Sequence, residues 1–466
     1  IPISHSMKNP DPNLFLKSLV SDGMSRRKFL QTAAAAALLG GMDFKSLSAQ
    51  TAAESGFKNL IDPSKKLRIA SIGAAGQALG DLKIMSSEDI VALCDVDFSR
   101  AAKSFAMWPN AARYQDYRRM LREMGDQIDA VLIATPDHTH VPAAMMALEY
   151  GKHIYVEKPL THTIGEARLL REAARKAGVV TQMGNHGHAN ETTRLVKEWI
   201  EAGVIGPVRK VHFWTNRPIW PQGLNLPTPP DTIPATLSWN LWQGVAPERP
   251  YNKAYLPFAW RSWWDYGCGA LGDMGCHVMD AAFWTLNLRG TFQVSAESEG
   301  ATQVSAPNWS VVRYDFPQRG DLPPVTLSWF DGGVLPPKPK ELGDSPMPNQ
   351  GVLYYGDKGM LMTTGDYSES PRLLPDSTMK AFRDRPEKTI ARVPGGNARM
   401  EWVTACKGGP KPGSDIVDYS SSLTEFVLAG NLAIRMGRQI QYDPMAGICI
   451  GDPDADRLIN KTYRLF

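Results

Sequence analysis

From Leu67 onward, short apolar runs alternate with longer mixed stretches. Leu67–Ile72, Ile90–Cys94, Asp129–Ala134 and Lys152–Val156 each have the length and bias of a buried strand. A helix is predicted over Val141–Tyr150, between the third and fourth of these runs. Strand and helix in alternation predict a parallel, doubly wound sheet. The pattern changes after about residue 183. Glu191–Gly203 reads as a helix and Val208–Trp214 as a strand, and strand-like runs recur at 291–297, 309–316 and 325–330. Those recurring runs predict an antiparallel sheet. Tyr419–Met436 has helical periodicity, while 217–262, 332–351 and 382–413 read as long Pro- and Gly-rich loops. No internal repeat is visible.

Composition narrows the class. A chain of 466 residues exceeds what one core usually supports, so two domains are expected. At 43% hydrophobic and 21% charged it is an ordinary globular composition, neither a disordered chain nor a coiled coil. A net charge of +3 gives no reason to expect nucleic acid as a partner. The five cysteines, Cys94, Cys268, Cys276, Cys406 and Cys449, are odd in number and lack C-x-x-C spacing. They predict neither a disulfide framework nor a structural zinc site.

The first 50 residues read as a leader. Ser25-Arg26-Arg27-Lys28-Phe29-Leu30 precedes an alanine-rich run too short to span a bilayer comfortably. This resembles a twin-arginine (Tat) export signal, with small residues near Ser48 and Ala49 as a cleavage point. The resemblance implies engagement of the Tat machinery and a periplasmic destination. No later run is long enough for a membrane span, so the mature protein is expected to be soluble. The expected organisation is leader 1–50, linker 51–66, dinucleotide-binding domain 67–182, substrate domain 183–440 and C-terminal tail 441–466.

Candidate chemistry gathers at the ends of the predicted strands. The first runs into Gly73-Ala74-Ala75-Gly76, and the second ends at Asp95, 22 positions beyond Gly73. Glycines at a strand-to-helix turn admit a pyrophosphate at a helix N-terminus, and an acid about 20 residues on suits the ribose hydroxyls. The fingerprint is imperfect, because Ala75 stands where the middle glycine belongs. Thr135-Pro136 and Glu157-Lys158-Pro159 follow the next two strands, so all these residues are expected around one crevice. Further on, Asp273 and His277 stand at i, i+4 on a predicted helix that runs through Leu286.

Three motifs in this order, Ala134–His140, Tyr155–Thr163 and Gly272–Asp280, resemble the Gfo/Idh/MocA (glucose-fructose oxidoreductase / inositol dehydrogenase) family over 67 to about 440. The resemblance implies an α/β chain: an N-terminal Rossmann NAD(P)-binding domain, then an α+β domain with a large, mostly antiparallel sheet. It implies Lys158, Asp273 and His277 as the catalytic group. It places Gly73, Ala75, Gly76, Asp95, Thr135, Pro136, His140, Glu157 and Lys158 at the cofactor, and Asn185 near nicotinamide or substrate. Which of Lys158 and His277 is the base stays open.

Asp95 favours NAD, since a carboxylate repels a 2′-phosphate, while Arg100 nearby keeps NADP as the alternative. Seven of the thirteen tryptophans lie between 214 and 264, enough to supply a sugar-stacking face with others left for packing. Arg261 and Trp263 are the expected substrate contacts there. His186, His188 and His212 are weighed as metal ligands and rejected in favour of ordinary hydrogen bonding, so no metal is expected. A homo-oligomer is expected, because an open sheet leaves a face to cover.

The expected activity is NAD(P)-dependent oxidation or reduction of a secondary hydroxyl on a sugar, glycoside or polyol. Export away from a cytoplasmic NAD pool would require a tightly held, internally recycled cofactor. Two alternatives stand beside it. One is a redox-assisted glycosidase, lyase or epimerase that oxidises its substrate transiently. The other is a non-catalytic sugar- or nucleotide-binding protein.

Overall fold

The structure is a computed structural model and describes residues 56–466. The leader and its twin arginines lie outside the described residues.

Six parallel strands form the first sheet: β1 (Arg68–Ile72), β2 (Asp89–Cys94), β3 (Ala112–Tyr114), β4 (Ala130–Ile133), β5 (His153–Val156) and β6 (Thr181–Met183). Their spatial order is β3-β2-β1-β4-β5-β6. Every residue of β4 and β5 is buried, as expected of strands covered by helices on both faces. Strand order reverses between β1 and β4, which opens a crevice beyond their carboxyl ends. The predicted strands and the 140–149 helix are found within two residues of their expected bounds. Two short strands, β3 and β6, carry too few apolar residues to stand out in the sequence.

The second sheet has nine strands. They are β7 (Val208–Trp214), β8 (Phe292–Glu299), β9 (Trp309–Phe316), β10 (Val325–Phe330), β11 (Gly351–Gly356), β12 (Gly359–Thr364), β13 (Glu369–Leu374), β14 (Ile440–Asp443) and β15 (Ile448–Cys449). Their order is β13-β12-β11-β7-β10-β9-β8-β14-β15, antiparallel except where β7 and β10 pair in parallel. The buried helix Ser421–Met436 packs against it, with the Tyr314 hydroxyl on β9 donating to the Val427 carbonyl at 3.2 Å.

Three segments depart from the expected organisation. Residues 441–466, read as a tail, complete β14, add β15 and form the helix Pro453–Ile459. From residue 56 the linker already packs on the dinucleotide fold through Phe57, Leu60 and Ile61. The loop reading of 382–413 misses the helix Ala398–Cys406, whose Trp402 packs on Tyr155 of β5 at 5.6 Å between ring centroids. Its Asn397 cap accepts from the Arg399 and Met400 amides, a start signal hidden by the preceding Pro394-Gly395-Gly396.

The excursion 217–262 is a packed structure. Trp239, Trp242, Tyr251, Tyr255, Trp260, Trp263 and Tyr266 form one aromatic cluster. All five cysteines are buried and unbridged. Among the described residues, no helix is long and apolar enough to cross a membrane.

Candidate active site

A cavity of about 330 Å³ opens at the carboxyl ends of the parallel strands. Gly73, Ala75, Gly76, Asp95, Thr135, Pro136, Glu157, Lys158 and Arg261 all line it, as the sequence motifs predict. Its other wall is the excursion, through Leu256, Pro257, Phe258, Trp260 and Trp242.

The residues at the first turn fit a dinucleotide. Gly73 has φ +86°, and a Cβ there would lie 2.4 Å from the Ala134 carbonyl oxygen. Only glycine allows β1 to pass so close to β4 and bend into the helix Gln77–Ile84. Asp95 is fixed at the end of β2 by two backbone amides, Ala74 N at 2.9 Å and Asp97 N at 3.0 Å. Burial pushes its carboxyl up despite those donors. The Thr135 hydroxyl is buried without a partner in the protein, which leaves a polar atom for a bound molecule to satisfy.

Beside this crevice sits the predicted catalytic group. The helix Gly269–Val278 carries Asp273 and His277 one turn apart, and a second short helix, Asp280–Thr285, follows it. Lys158 Nζ donates to the Asp273 carbonyl and to its Oδ1, each at 2.9 Å. Arg261 Nε donates to the same oxygen at 2.8 Å. Burial alone would raise the Asp273 pKa, but these two cations outweigh it and hold the carboxyl well below the usual carboxylate range. His277 is pushed the other way from an exposed histidine. Burial, together with Lys158 and His186, drives its pKa well below the ordinary value, so the ring is neutral at neutral pH. Its Nδ1 is buried without a partner.

A second charged layer backs the first. His186 Nε2 donates to Glu157 Oε1 at 2.8 Å and Nδ1 accepts from Arg399 Nη2 at 3.0 Å. Arg399 also pairs with Asp81 at 2.6 Å. Asp81, Glu157 and His186 have metal-ligand types at metal-ligand spacing, but the Arg399 guanidinium binds both Asp81 and His186. The arginine supplies the positive charge a cation would bring. Burial and the neighbouring Glu157 push the Asp81 carboxyl up, against the pull of Arg399. Sequence reading missed Asp81 and Arg399, which carry no motif and come from elements 318 positions apart.

Other expected residues fall elsewhere. Asn185 is buried and its Oδ1 accepts from Ser414 Oγ, while its Nδ2 has no partner. The two ring nitrogens of His140 lie 2.9 and 2.8 Å from the Pro159 and Thr135 carbonyls, so the residue braces the crevice wall from behind. Trp263, expected at the substrate, is buried instead in the aromatic cluster, with Tyr255 against it at 4.8 Å. Trp260 lines the cavity and carries Arg261 over its ring at 4.2 Å. The three histidines weighed as a metal site have separate partners. His188 donates to Asp280 at 3.1 Å and His212 pairs with Tyr355.

Comparison with known proteins agrees with this geometry. Residues 67–185 match the family described as GFO_IDH_MocA, "Oxidoreductase family, NAD-binding Rossmann fold". Residues 190–320 match its companion, "Oxidoreductase family, C-terminal alpha/beta domain". Together these matches span more than half of the chain, in the order expected. The chain belongs to the Gfo/Idh/MocA oxidoreductase family and has its NAD-binding fold.

Among its relatives is the D-glucoside 3-dehydrogenase of Escherichia coli, 28% identical over 282 residues, 58% of this chain and 69% of that protein. Another is a glycosyl hydrolase family 109 protein of Shewanella pealeana, 28% identical over 202 residues, 39% of this chain and 44% of that one. The WlbA dehydrogenase of Bordetella pertussis, solved with NADH and UDP-GlcNAcA, shares the fold at a TM-score of 0.57. It is 18% identical, with 80% of this chain and 98% of that one covered.

Proposed function

We propose that this protein oxidises or reduces a secondary hydroxyl of a sugar, glycoside or polyol with NAD held in the crevice. The observation that carries the reading is the meeting of Lys158, Asp273 and His277 beside the cavity at the carboxyl ends of the parallel strands. The relation to a D-glucoside 3-dehydrogenase supports the substrate class.

Bound NAD supplies a hydride acceptor. The remaining chemistry belongs to the chain. A neutral, buried His277 with an unpartnered nitrogen is suited to take the hydroxyl proton. Lys158, an ammonium fixed in place by Asp273, stabilises the negative charge that develops on the substrate oxygen. Asp273, itself oriented by Arg261, holds Lys158 in position rather than reacting.

We also propose that the protein leaves the cytoplasm through the twin-arginine route with its cofactor already bound. The reading rests on Ser25-Arg26-Arg27-Lys28-Phe29-Leu30. A cofactor that cannot be replaced must stay bound, which needs a Kd near 1 nM or below, about −12 kcal/mol.

The test is gentle purification of the exported protein, followed by denaturation and mass analysis of the released nucleotide. Near-stoichiometric NAD(H) supports the closed cycle. An empty protein that binds NAD only weakly rejects it and leaves an ordinary dehydrogenase. Absence of any change in nicotinamide absorbance across a broad panel of sugars and polyols would reject the redox reading itself.

A second reading is redox-assisted glycoside cleavage, favoured by the relation to a glycosyl hydrolase family 109 protein. Oxidation at one carbon acidifies its neighbour and permits elimination. Release of aglycone without accumulation of NADH distinguishes it.

A further inference from the structure

We infer that the tight turn Gly365–Ser368 is the recognition wall of the substrate site, and that Asp366 on it binds substrate hydroxyls and selects neutral polyhydroxylated rings over sugar acids. The inference rests on the carbohydrate reading above and deepens it.

The turn joins β12 to β13 and is built against local preference. Gly365 has φ +70°, but Ser368 and Ser370 also adopt positive values, +58° and +49°. Non-glycine residues pay to sit there, and such strain is kept where side chains must be aimed. Here it presents Asp366 and Tyr367 toward the helix that carries His277. The Tyr367 ring stands edge-on to His277 at 5.0 Å between centroids and lies 6.5 Å from His186. Its approach depends on Gly187, where a Cβ would lie 2.9 Å from the Tyr367 Cβ. Tyr367 therefore borders the proposed proton acceptor directly.

Asp366 lies next to it with a side chain 16% exposed. Its Oδ1 is buried and without a hydrogen-bond partner, and its one cation, Arg217, stands off at 3.9 Å. Lys158 and Asp273 are near enough to act on its charge, and burial pushes its carboxyl up. A half-buried carboxylate with a free oxygen beside the reacting group is an acceptor awaiting donors. Sugar hydroxyls are such donors.

The charges around the turn disfavour an acidic ligand. Lys158 and Arg261 both bind Asp273, Arg217 faces Asp366, and Arg399 binds Asp81. Asp137, buried behind Arg261, and Glu157, against His186, add two more acids. Five carboxyl groups thus stand against four cations in this group, and Lys158 and Arg261 are both engaged by Asp273, which disfavours the carboxylate of a uronic acid here. Asp366 would repel it.

The test is binding and turnover of two probes, methyl β-D-glucopyranoside and its C6-oxidised uronide, by the NAD-loaded protein. The wild type should prefer the neutral glycoside. In Asp366→Asn, KM for the glucoside should rise about tenfold or more while kcat changes far less, and the preference over the uronide should shrink. Tyr367→Phe, which keeps the packing on Gly187, serves as a second variant and should raise KM without altering NAD affinity. Equal KM values in wild type and Asp366→Asn, or a wild type that prefers the uronide, would overturn the inference while leaving the redox reading intact. Wild type that turns over neither probe, nor any other carbohydrate, would overturn both.

Discussion

Lys158 grips Asp273 twice, through the backbone carbonyl and through Oδ1, across 115 positions of sequence. The double contact ties the end of β5 to the first turns of a helix in the other domain. It fixes an ammonium group at the mouth of the cofactor crevice. Arg261 on the same oxygen means that Asp273 keeps one cation if the other is removed.

Lys158→Ala should therefore abolish activity without unfolding the protein. Loss of a fixed charge at the reacting oxygen is expected to lower kcat/KM by about a hundredfold or more. The melting temperature should move little, because Asp273 stays paired with Arg261. Steady-state nicotinamide absorbance and a thermal melt measure the two effects. Full turnover in the variant would remove Lys158 from the site.

Gly73→Ala should strip the protein of nucleotide. The added methyl would meet the Ala134 carbonyl in a backbone conformation that suits glycine. Mass analysis of nucleotide released on denaturation should show occupancy falling at least about tenfold. Retention at the wild-type level would mean that the turn does not approach the cofactor.

Acid should weaken the fold well above the range where carboxylates titrate. Burial pushes His138 to about 3 and His153 and His212 to about 4, and drives His162 and His277 well below their ordinary value. In the unfolded chain all five take up a proton near pH 6.5. Unfolding then binds protons, so stability is complete above about pH 6.5 and falls as pH drops toward the folded-state values. For His138 alone the loss at pH 5 is ~2 kcal/mol. Melts in buffers from pH 7 to pH 4.5 should show a steady decline, shallower in His138→Asn. A flat profile would contradict the buried, neutral assignment.

Trp263 and Trp260 should separate packing from binding. Trp263→Phe shrinks a buried ring in the aromatic cluster and should cost about 1–3 kcal/mol with KM unchanged. Trp260→Phe alters the cavity wall and the seat of Arg261, and should change KM more than stability. Denaturant titrations alongside kinetics measure both. The reverse pattern would put Trp263 at the substrate after all.

How far the sequence reaches depends on whether a feature is local. β1, β2, β4 and β5 are short runs dominated by apolar residues, and Glu157-Lys158 and Asp273-x-x-x-His277 are compact motifs, so both the first sheet and the reacting group could be read directly. Trp263 was misplaced because neighbouring tryptophans share a composition while only the folded backbone decides which faces the cavity. Arg399 and Asp366 were invisible for another reason. Arg399 lies in a stretch read as loop and Asp366 in one assigned to no element, and each acquires meaning only through partners more than a hundred positions away. The second sheet hides β11, β12 and β13 in the same way. Short strands joined by tight glycine turns have weak alternation.

The helix Ala398–Cys406 has a bearing on biogenesis. It supplies Trp402 to the back of β5 and Arg399 to Asp81, so the nucleotide-binding half borrows part of its core from late in the chain. During synthesis that half lacks these contacts until residue 406 has been made. A chain cut short before the helix should therefore hold its nucleotide poorly.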